Sequence, residues 1–265
     1  MSKENYIIYG KRTVREYLAA GAVSADIEII FSSTGEADPG RGDPKLALPG
    51  ALGKTVPAER IRALPRRELD RMFPDINHQG IVIRLLPGKT PHDKRDWREF
   101  LKEGGLGPLL ALDGIQDPRN LGGIIRSAEA LGVQALFVTG QGARLTPAAD
   151  RAAAGASFHL PVCTDLNPNR LLDAARKAGY WIIVADSPDA LSPGSAAPLA
   201  INSNEMYRLP AAKECLLFIG GEESGVRALV RKKADFIITI PLHGKVASLN
   251  ASIALGILLD RIVNR

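Results

Sequence analysis

A regular alternation of apolar strand-like runs and helix-like runs from Pro108 onward is the feature that most constrains the fold. Short, continuously apolar runs are typical of strands buried on both faces, and strand–helix alternation is typical of a parallel sheet covered by helices. The expected strands lie at 109–112, 135–139, 180–185, 214–219 and 236–240, and the expected helices at 121–131, 146–154, 171–178, 226–233 and 249–263. The sequence therefore predicts an α/β domain with a parallel sheet over residues 107–265.

A smaller α/β domain is predicted for residues 1–88, followed by a linker at 89–106 that contains a short helix near Trp97–Lys102. Its expected elements are strands at 6–10, 26–31 and 80–86, a helix at 13–20, a helix-like segment at 59–71 that is interrupted near Pro65, and a Gly- and Pro-rich loop at 32–54. The change from this pattern to charged, Pro- and Gly-punctuated sequence after residue 86 marks the boundary between the two domains.

The composition is that of a globular protein, with 45% hydrophobic and 24% charged residues. No apolar stretch is long enough for a membrane span, and the N-terminal residues lack the apolar core of a secretory leader. We therefore expect a cytoplasmic protein without a membrane partner. The formal net charge of +5 permits an anionic partner such as RNA but does not by itself indicate one.

Three segments, 117–126, 220–225 and 240–250, each follow an apolar run and precede a helix-like run. The carboxyl ends of parallel strands meet at one edge of a sheet, where ligands bind in α/β proteins. The three segments therefore predict one composite site. None of them carries a zinc, P-loop or Ser-His-Asp pattern, so we expect binding through backbone amides and polar side chains, without a metal.

Several polar residues of these segments also have simpler interpretations. Asn120 either caps a helix or presents its amide to a ligand, and Arg126 either faces a cleft or pairs with Glu129 at i+3. Ser248 is a good candidate for the N-cap of the last helix. Glu222 either accepts hydrogen bonds from ribose hydroxyls or belongs to a tight turn with solvated acids.

The three segments together resemble the motifs of the SpoU, or TrmH-type, branch of the SPOUT RNA methyltransferases. The matches are Asn120, Gly122 and Arg126 in the first segment, Gly220, Glu222 and Gly225 in the second, and Ile240-Pro241, Gly244 and Ser248-Leu249-Asn250 in the third. In the segments Tyr9–Val14 and His78–Val82, the N-terminal domain resembles the L30e-like RNA-binding domain that precedes the catalytic domain in many members. The whole is most similar to the bacterial enzymes that methylate a guanosine ribose in 23S rRNA.

The resemblance implies a SPOUT-type sheet with a deep trefoil knot, a homodimer and a ribose 2′-O-methylation of RNA that uses S-adenosyl-L-methionine. It implies cofactor contacts, largely through backbone groups, at Gly220, Gly221, Ile240, Leu242 and Leu249. It implies catalytic roles for Asn120, Arg126, Glu222, Ser248 and Asn250. Arg126 is either the group that removes the hydroxyl proton or a cation that binds phosphate and stabilises the alkoxide.

Other functions remain open at this point. A tRNA ribose methyltransferase has the same motifs, and a non-catalytic rRNA-binding or ribosome-assembly protein can have the same fold. A nucleotide-dependent oxidoreductase is disfavoured because the glycine fingerprint GxGxxG is missing between residues 120 and 132.

Overall fold

The computed structural model describes residues 5–21, 27–33, 56–92, 95–103, 107–186, 199–211, 214–221, 225–245 and 248–264. Within them the strands are β1 Ile7–Tyr9, β2 Ile27–Ser32, β3 Ile61–Leu64, β4 Ile81–Leu85, β5 Leu109–Asp113, β6 Ala135–Thr139, β7 Val162–Leu166, β8 Trp181–Ala185, β9 Leu199–Asn202, β10 Cys215–Gly220 and β11 Phe236–Thr239. The α-helices are α1 Lys11–Ala19, α2 Arg66–Met72, α3 Trp97–Glu103, α4 Pro118–Ala130, α5 Pro147–Ala152, α6 Pro168–Lys177, α7 Ala228–Lys232 and α8 Ala251–Val263. None of these described helices is long and apolar enough to cross a membrane.

The chain divides into two compact units. The first comprises residues 1–92 together with 146–159, and the second comprises 93–145 together with 160–265. The domain boundaries expected from the sequence stay a prediction. The packing departs from them in one respect, because residues 146–159 were expected in the second domain and pack with the first unit. Nearly all of the loop expected at 32–54 lies outside the described residues.

The first unit is built on a four-stranded sheet in the order β1-β4-β2-β3. β4 is antiparallel to β1 and β2, whereas β2 and β3 are parallel. Successive residues of a strand point to opposite faces, so Ile29 and Ile30 contribute to two different hydrophobic clusters. Val14 and Tyr17 of α1 complete the first cluster, and Leu69 of α2 completes the second.

The predicted helix over residues 59–71 is wrong in its first half. Ile61–Leu64 forms β3, which pairs with β2, and within this segment only Arg66–Met72 is α-helical. Pro65 explains the difference, because the residue before a proline avoids the helical region while a proline is tolerated at a helix start. Leu64 is therefore extended, and α2 begins directly after the proline.

A buried carboxylate accounts for the packing of residues 146–159 with the first unit. Asp150 of α5 is fully buried and accepts hydrogen bonds from the hydroxyls of Tyr6 and Ser157, each at 2.7 Å. Burial, reinforced by Asp150, raises the pKa of Tyr6, so the phenol stays protonated and remains a donor. Since a buried charge without donors is strongly unfavourable, Asp150 requires Tyr6 beside it.

The second unit is built on a seven-stranded sheet in the order β7-β6-β5-β10-β8-β11-β9, with every neighbouring pair parallel. The predicted α/β fold with a parallel sheet is therefore confirmed. Phe100 of α3, Leu172 of α6 and Val230 of α7 belong to one hydrophobic cluster with one face of the sheet. α4 and α8 pack against each other, and α8 also contacts β10.

The two edge strands of this sheet, β7 and β9, are not predicted by the sequence. Thr164 and Asp165 interrupt the apolar pattern of β7, and Asp165 has a φ of 61° beside an irregularity in the β6–β7 pairing. An edge strand is only partly covered, so it needs fewer apolar residues than a central strand. Periodicity is therefore a weak signal for both strands.

The buried imidazole of His78 makes the first unit sensitive to acid. His78 is 2% exposed, its Nδ1 accepts the Gly80 N–H at 3.1 Å, and its Nε2 lies 3.0 Å from the Asp70 carboxylate. Burial lowers the pKa of His78 below its ordinary value of 6.5, and Arg66 adds to this effect while Asp70 opposes it. The stabilising contribution is therefore complete above pH 6.5 and is lost as the pH falls from 6.5 towards the lower folded-state pKa.

We expect the amides of β2 and β4 to lose protection as the pH falls below about 6.5, after correction for intrinsic exchange rates. Hydrogen exchange with mass spectrometry measures this loss, and His78→Asn should abolish its pH dependence. His159→Asn, which replaces an exposed histidine of the same unit, is the matched control. An unchanged pH dependence in His78→Asn would show that another group is responsible.

Candidate active site

The first and second motif segments meet at the carboxyl ends of β5 and β10. These strands are parallel, with Gly220 opposite Asp113, and the Gly221 N–H donates to the Asp113 carbonyl oxygen at 3.0 Å. The Gly221 N–H is therefore already bonded within the protein, and the predicted cofactor contact of Gly221 stays a prediction. Glu222, the acidic residue of this motif, lies outside the described residues, so its predicted role stays a prediction.

The Asp113 side chain joins the end of β5 to the end of β6 and to the start of α7. It is 1% exposed, and its Oδ2 accepts the backbone N–H of Arg227 at 2.9 Å. Its Oδ1 accepts the Thr139 hydroxyl at 3.1 Å and lies 3.3 Å from Nε of Arg227. The end of β5 is therefore fixed to the end of β6 and to the segment that follows β10. The only signal in the sequence was an acidic residue directly after an apolar strand.

The first and third segments meet through two asparagines. The Asn250 amide donates to Oδ1 of Asn120 at 3.1 Å. Asn250 is also the N-cap of α8, because its Oδ1 accepts the Ser252 N–H at 2.9 Å. Ser248, the expected cap, is exposed and lies ahead of the helix. The cap shifts because α8 begins at Ala251 and not at residue 249.

Asn120 does not cap the helix in which it lies. Asp117 is the N-cap of α4 and accepts the Arg119 N–H at 2.8 Å, and Pro118 occupies the first turn. Asn120 is therefore already inside the helix, and its side chain is directed to Asn250. This arrangement removes the simpler interpretation of Asn120 as a cap and places its amide at the junction of two motif segments.

Arg126 lies on the solvent-exposed surface of α4. Within the described residues it makes no hydrogen bond or ion pair, so the alternative pairing with Glu129 is absent there. Six residues along a helix correspond to about 9 Å and to a rotation of about 120° from Asn120. The structure therefore leaves the guanidinium of Arg126 available but does not bring it into contact with Asn120.

The third segment supplies a partly buried apolar surface. Ile240, Leu242 and Leu249 are all half-buried, although they lie outside regular secondary structure. In the described part of the loop, residues 241–245 and 248–249 make no backbone hydrogen bond. Apolar side chains thus lie beside backbone amides and carbonyls that have no partner in the described part of the loop. Such a surface suits a flat ring that has polar atoms along its edge.

Gly220 gives a direct test of how closely the second segment folds back on itself. A Cβ at this position would overlap the backbone of Gly225 and Val226, whereas a Cβ at Gly244 would meet no atom of the described residues within 4 Å. We expect Gly220→Ala to lower the melting temperature and to abolish cofactor binding, because backbone atoms cannot yield as a side chain can. Gly244→Ala in the third segment should leave the melting temperature unchanged, and equal melting temperatures for both variants would contradict the close approach.

Known proteins resemble this chain over most of its length. Residues 107–260, which are 154 of the 265, match the model of the SpoU rRNA Methylase family. The chain is 31% identical over 229 residues to the 23S rRNA (guanosine-2′-O-)-methyltransferase RlmB of Pseudomonas aeruginosa, covering 85% of this chain and 86% of that protein. It is also 31% identical over 210 residues to a TrmH family tRNA/rRNA methyltransferase of Staphylococcus aureus, covering 77% of each.

Solved structures share the fold. The SpoU methyltransferase AviRb from Streptomyces viridochromogenes, in complex with the cofactor AdoMet, has a TM-score of 0.71 at 21% identity and covers 98% of this chain and 90% of its own. An AdoMet-bound rRNA methyltransferase from Sinorhizobium meliloti has a TM-score of 0.70 at 20% identity, with 97% and 86% coverage. From the family match and the two relatives, we conclude that this chain belongs to the SpoU family of RNA methyltransferases.

Proposed function

We propose that the protein transfers a methyl group from S-adenosyl-L-methionine to a ribose 2′-oxygen of RNA, with a guanosine of 23S rRNA as the target. The observation that carries this proposal is the convergence of three motif segments at one edge of the parallel sheet, although more than 90 residues of chain separate the first segment from the other two. The rRNA guanosine target is favoured by the relative from Pseudomonas aeruginosa. Such an enzyme would work in the cytoplasm, where ribosomes assemble.

The third segment fits the cofactor. Half-buried Ile240, Leu242 and Leu249 offer an apolar surface, and the loop around them has backbone groups without a partner in the described part of the chain, which could bind a ring edge. Gly220 and Gly221 complete this surface from the neighbouring strand end in our proposal. When bound, S-adenosyl-L-methionine supplies a methyl carbon on a positively charged sulfur, whose leaving group is already activated and needs no metal.

The side chains of the site have to orient a weak nucleophile. A guanidinium keeps its proton at any physiological pH, so we assign Arg126 the role of binding the phosphate next to the target and stabilising the developing alkoxide. Asn120 and Asn250, joined by their hydrogen bond, would hold α4 and α8 in register around the ribose. Ser248 and Glu222 are proposed to complete the contacts to the sugar.

The first unit is proposed to bind RNA as an L30e-like domain. This proposal is supported by the α/β fold of the unit and by its exposed helix α2, which carries Arg67 and Arg71. Neither arginine has an ion-pair partner in the described part of the chain. Arg62 and Arg66, by contrast, pair with Glu28 and Asp70. Phosphate contacts of this kind add affinity without sequence preference.

We further propose that the second unit contains a deep trefoil knot. The supporting observation is the strand order, in which β10 enters the sheet between β5 and β8, and β11 then enters between β8 and β9. Each of these two strands lies between two strands that precede it in the chain.

A tRNA ribose is the second candidate substrate. It is favoured by the name of the relative from Staphylococcus aureus, which includes both tRNA and rRNA. Mass-spectrometric mapping of the methylated ribose in reactions with each RNA separates the two substrates.

Arg126→Ala tests the catalytic assignment. Loss of an alkoxide-stabilising group typically lowers kcat by a factor of about 10² to 10³, and we expect methyl transfer to rRNA to fall by this factor. Binding of S-adenosyl-L-methionine, measured by calorimetry, should be unchanged because Arg126 is exposed and lies outside the cofactor surface.

Glu129→Ala is the matched control, since Glu129 is an exposed residue one turn further along α4. It should retain full activity. Full activity of Arg126→Ala would refute the assignment, and a wild-type protein that transfers no methyl group to either RNA would refute the proposed function itself.

Helix α8 is the proposed homodimer interface. It is apolar on most of its surface, and Ile253 is 56% exposed. A charge at this position would be desolvated in a dimer, so we expect Ile253→Lys to give a monomer in sedimentation velocity experiments. Leu229→Lys, at a 48% exposed position of α7, is the control and should leave the dimer intact. A wild-type monomer, or an unaltered dimer in Ile253→Lys, would contradict this interface.

A further inference from the structure

Arg227 is an arginine that a buried carboxylate holds in place at the candidate active site. Its backbone N–H donates to Oδ2 of Asp113 at 2.9 Å, and its Nε lies 3.3 Å from Oδ1 of the same carboxylate. Asp113 is 1% exposed, whereas the Arg227 side chain is 50% exposed. One edge of the guanidinium therefore faces the protein interior, and the rest of it reaches solvent.

The guanidinium lies directly against Gly140, at the carboxyl end of β6. Gly140 has a φ of 69°, and a Cβ at this position would overlap the guanidinium. The residue after β6 thus has to be glycine for Arg227 to adopt this position. The ion pair to Asp113 uses Nε of Arg227. The two terminal amino groups, Nη1 and Nη2, have no hydrogen-bond acceptor among the described residues.

The position of this guanidinium does more than balance the charge of a buried carboxylate. Asp113 accepts the Arg227 N–H at Oδ2, and its Oδ1 lies near both the Thr139 hydroxyl and Nε of Arg227. Only Nε of the guanidinium is needed to offset the cost of burying this charge. The pair also provides orientation, because binding at Nε restricts a side chain that would otherwise sample many rotamers.

An oriented guanidinium whose two amino groups have no acceptor among the described residues matches two oxygens of a phosphate. Arg227 presents this fork at the edge of the sheet where β5, β6 and β10 end, which is also where the motif segments meet. We propose that Arg227 binds a phosphodiester of the RNA substrate and that Asp113 and Gly140 are the positioning residues that aim it. This inference rests on the proposed function, since it names a subsite for the RNA of that reaction.

The test is binding of an in vitro transcript of 23S rRNA to the full chain, measured by filter binding across a series of salt concentrations. Loss of one charge-assisted phosphate contact should weaken binding about tenfold in Arg227→Ala. The slope of log K against log salt should fall by about 0.7 to 0.9, as expected when one fewer counterion is released. Calorimetric affinity for S-adenosyl-L-methionine should be unchanged.

Arg176→Ala is the matched control. Arg176 is 43% exposed and pairs with Asp235 at 2.8 Å, but this pair lies at the opposite, amino-terminal end of the strands. Arg176→Ala should leave unchanged both the RNA affinity and the slope of log K against log salt. Arg227→Lys keeps the charge without the fork, so it should restore the slope but only part of the affinity.

Wild-type affinity and slope in Arg227→Ala, in a protein with the wild-type melting temperature, would overturn the inference. Weaker binding of S-adenosyl-L-methionine with unchanged RNA binding would also overturn it, since the anion would then be the cofactor carboxylate. If Arg227→Ala does not fold, Arg227→Gln, which retains the backbone N–H and part of the stem, gives the same two readouts. A wild-type protein that binds rRNA without methylating it would refute the proposed function while leaving this test readable.

Discussion

The buried carboxylate of Asp113 is the interaction on which the geometry of the second unit's site depends. An unpaired carboxylate in this position would be strongly unfavourable, so β5 cannot end here unless Thr139 and the backbone of Arg227 meet it. The end of β5 is fixed relative to the end of β6 and to the start of α7 as a result. The positions of the loops that follow are therefore set before any ligand binds. Such preorganisation is required when the nucleophile of a catalysed reaction is weak.

The convergence of the three motif segments could be predicted from the sequence, because parallel strands end at one edge and each segment follows a strand. The roles of individual residues within the segments could not be predicted. Asp117, Asn120, Ser248 and Asn250 are all capable caps, and the choice depends on the residue at which each helix begins. Asp113 and Arg227 stand 114 residues apart, and no periodic pattern links two positions that only the strand register brings together.

The same limit applies to the fold. Central strands such as β5 and β10 are apolar throughout, so the sequence alone identifies them and predicts the parallel sheet. β7 and β9 lie at the edges of that sheet and carry weaker patterns. Arginines at helical spacing made the sequence of β3 resemble a helix, although Pro65 indicated that a helix could not run through this segment.

The position of α5 has a consequence for the order in which the protein forms during synthesis. Tyr6 leaves the ribosome well before its carboxylate partner Asp150, which emerges only after β5 and β6 of the other unit. The amino-terminal unit therefore cannot complete its packing as an early, independent event. Translation has to proceed well into the methyltransferase unit first, so the two halves mature together and not one after the other.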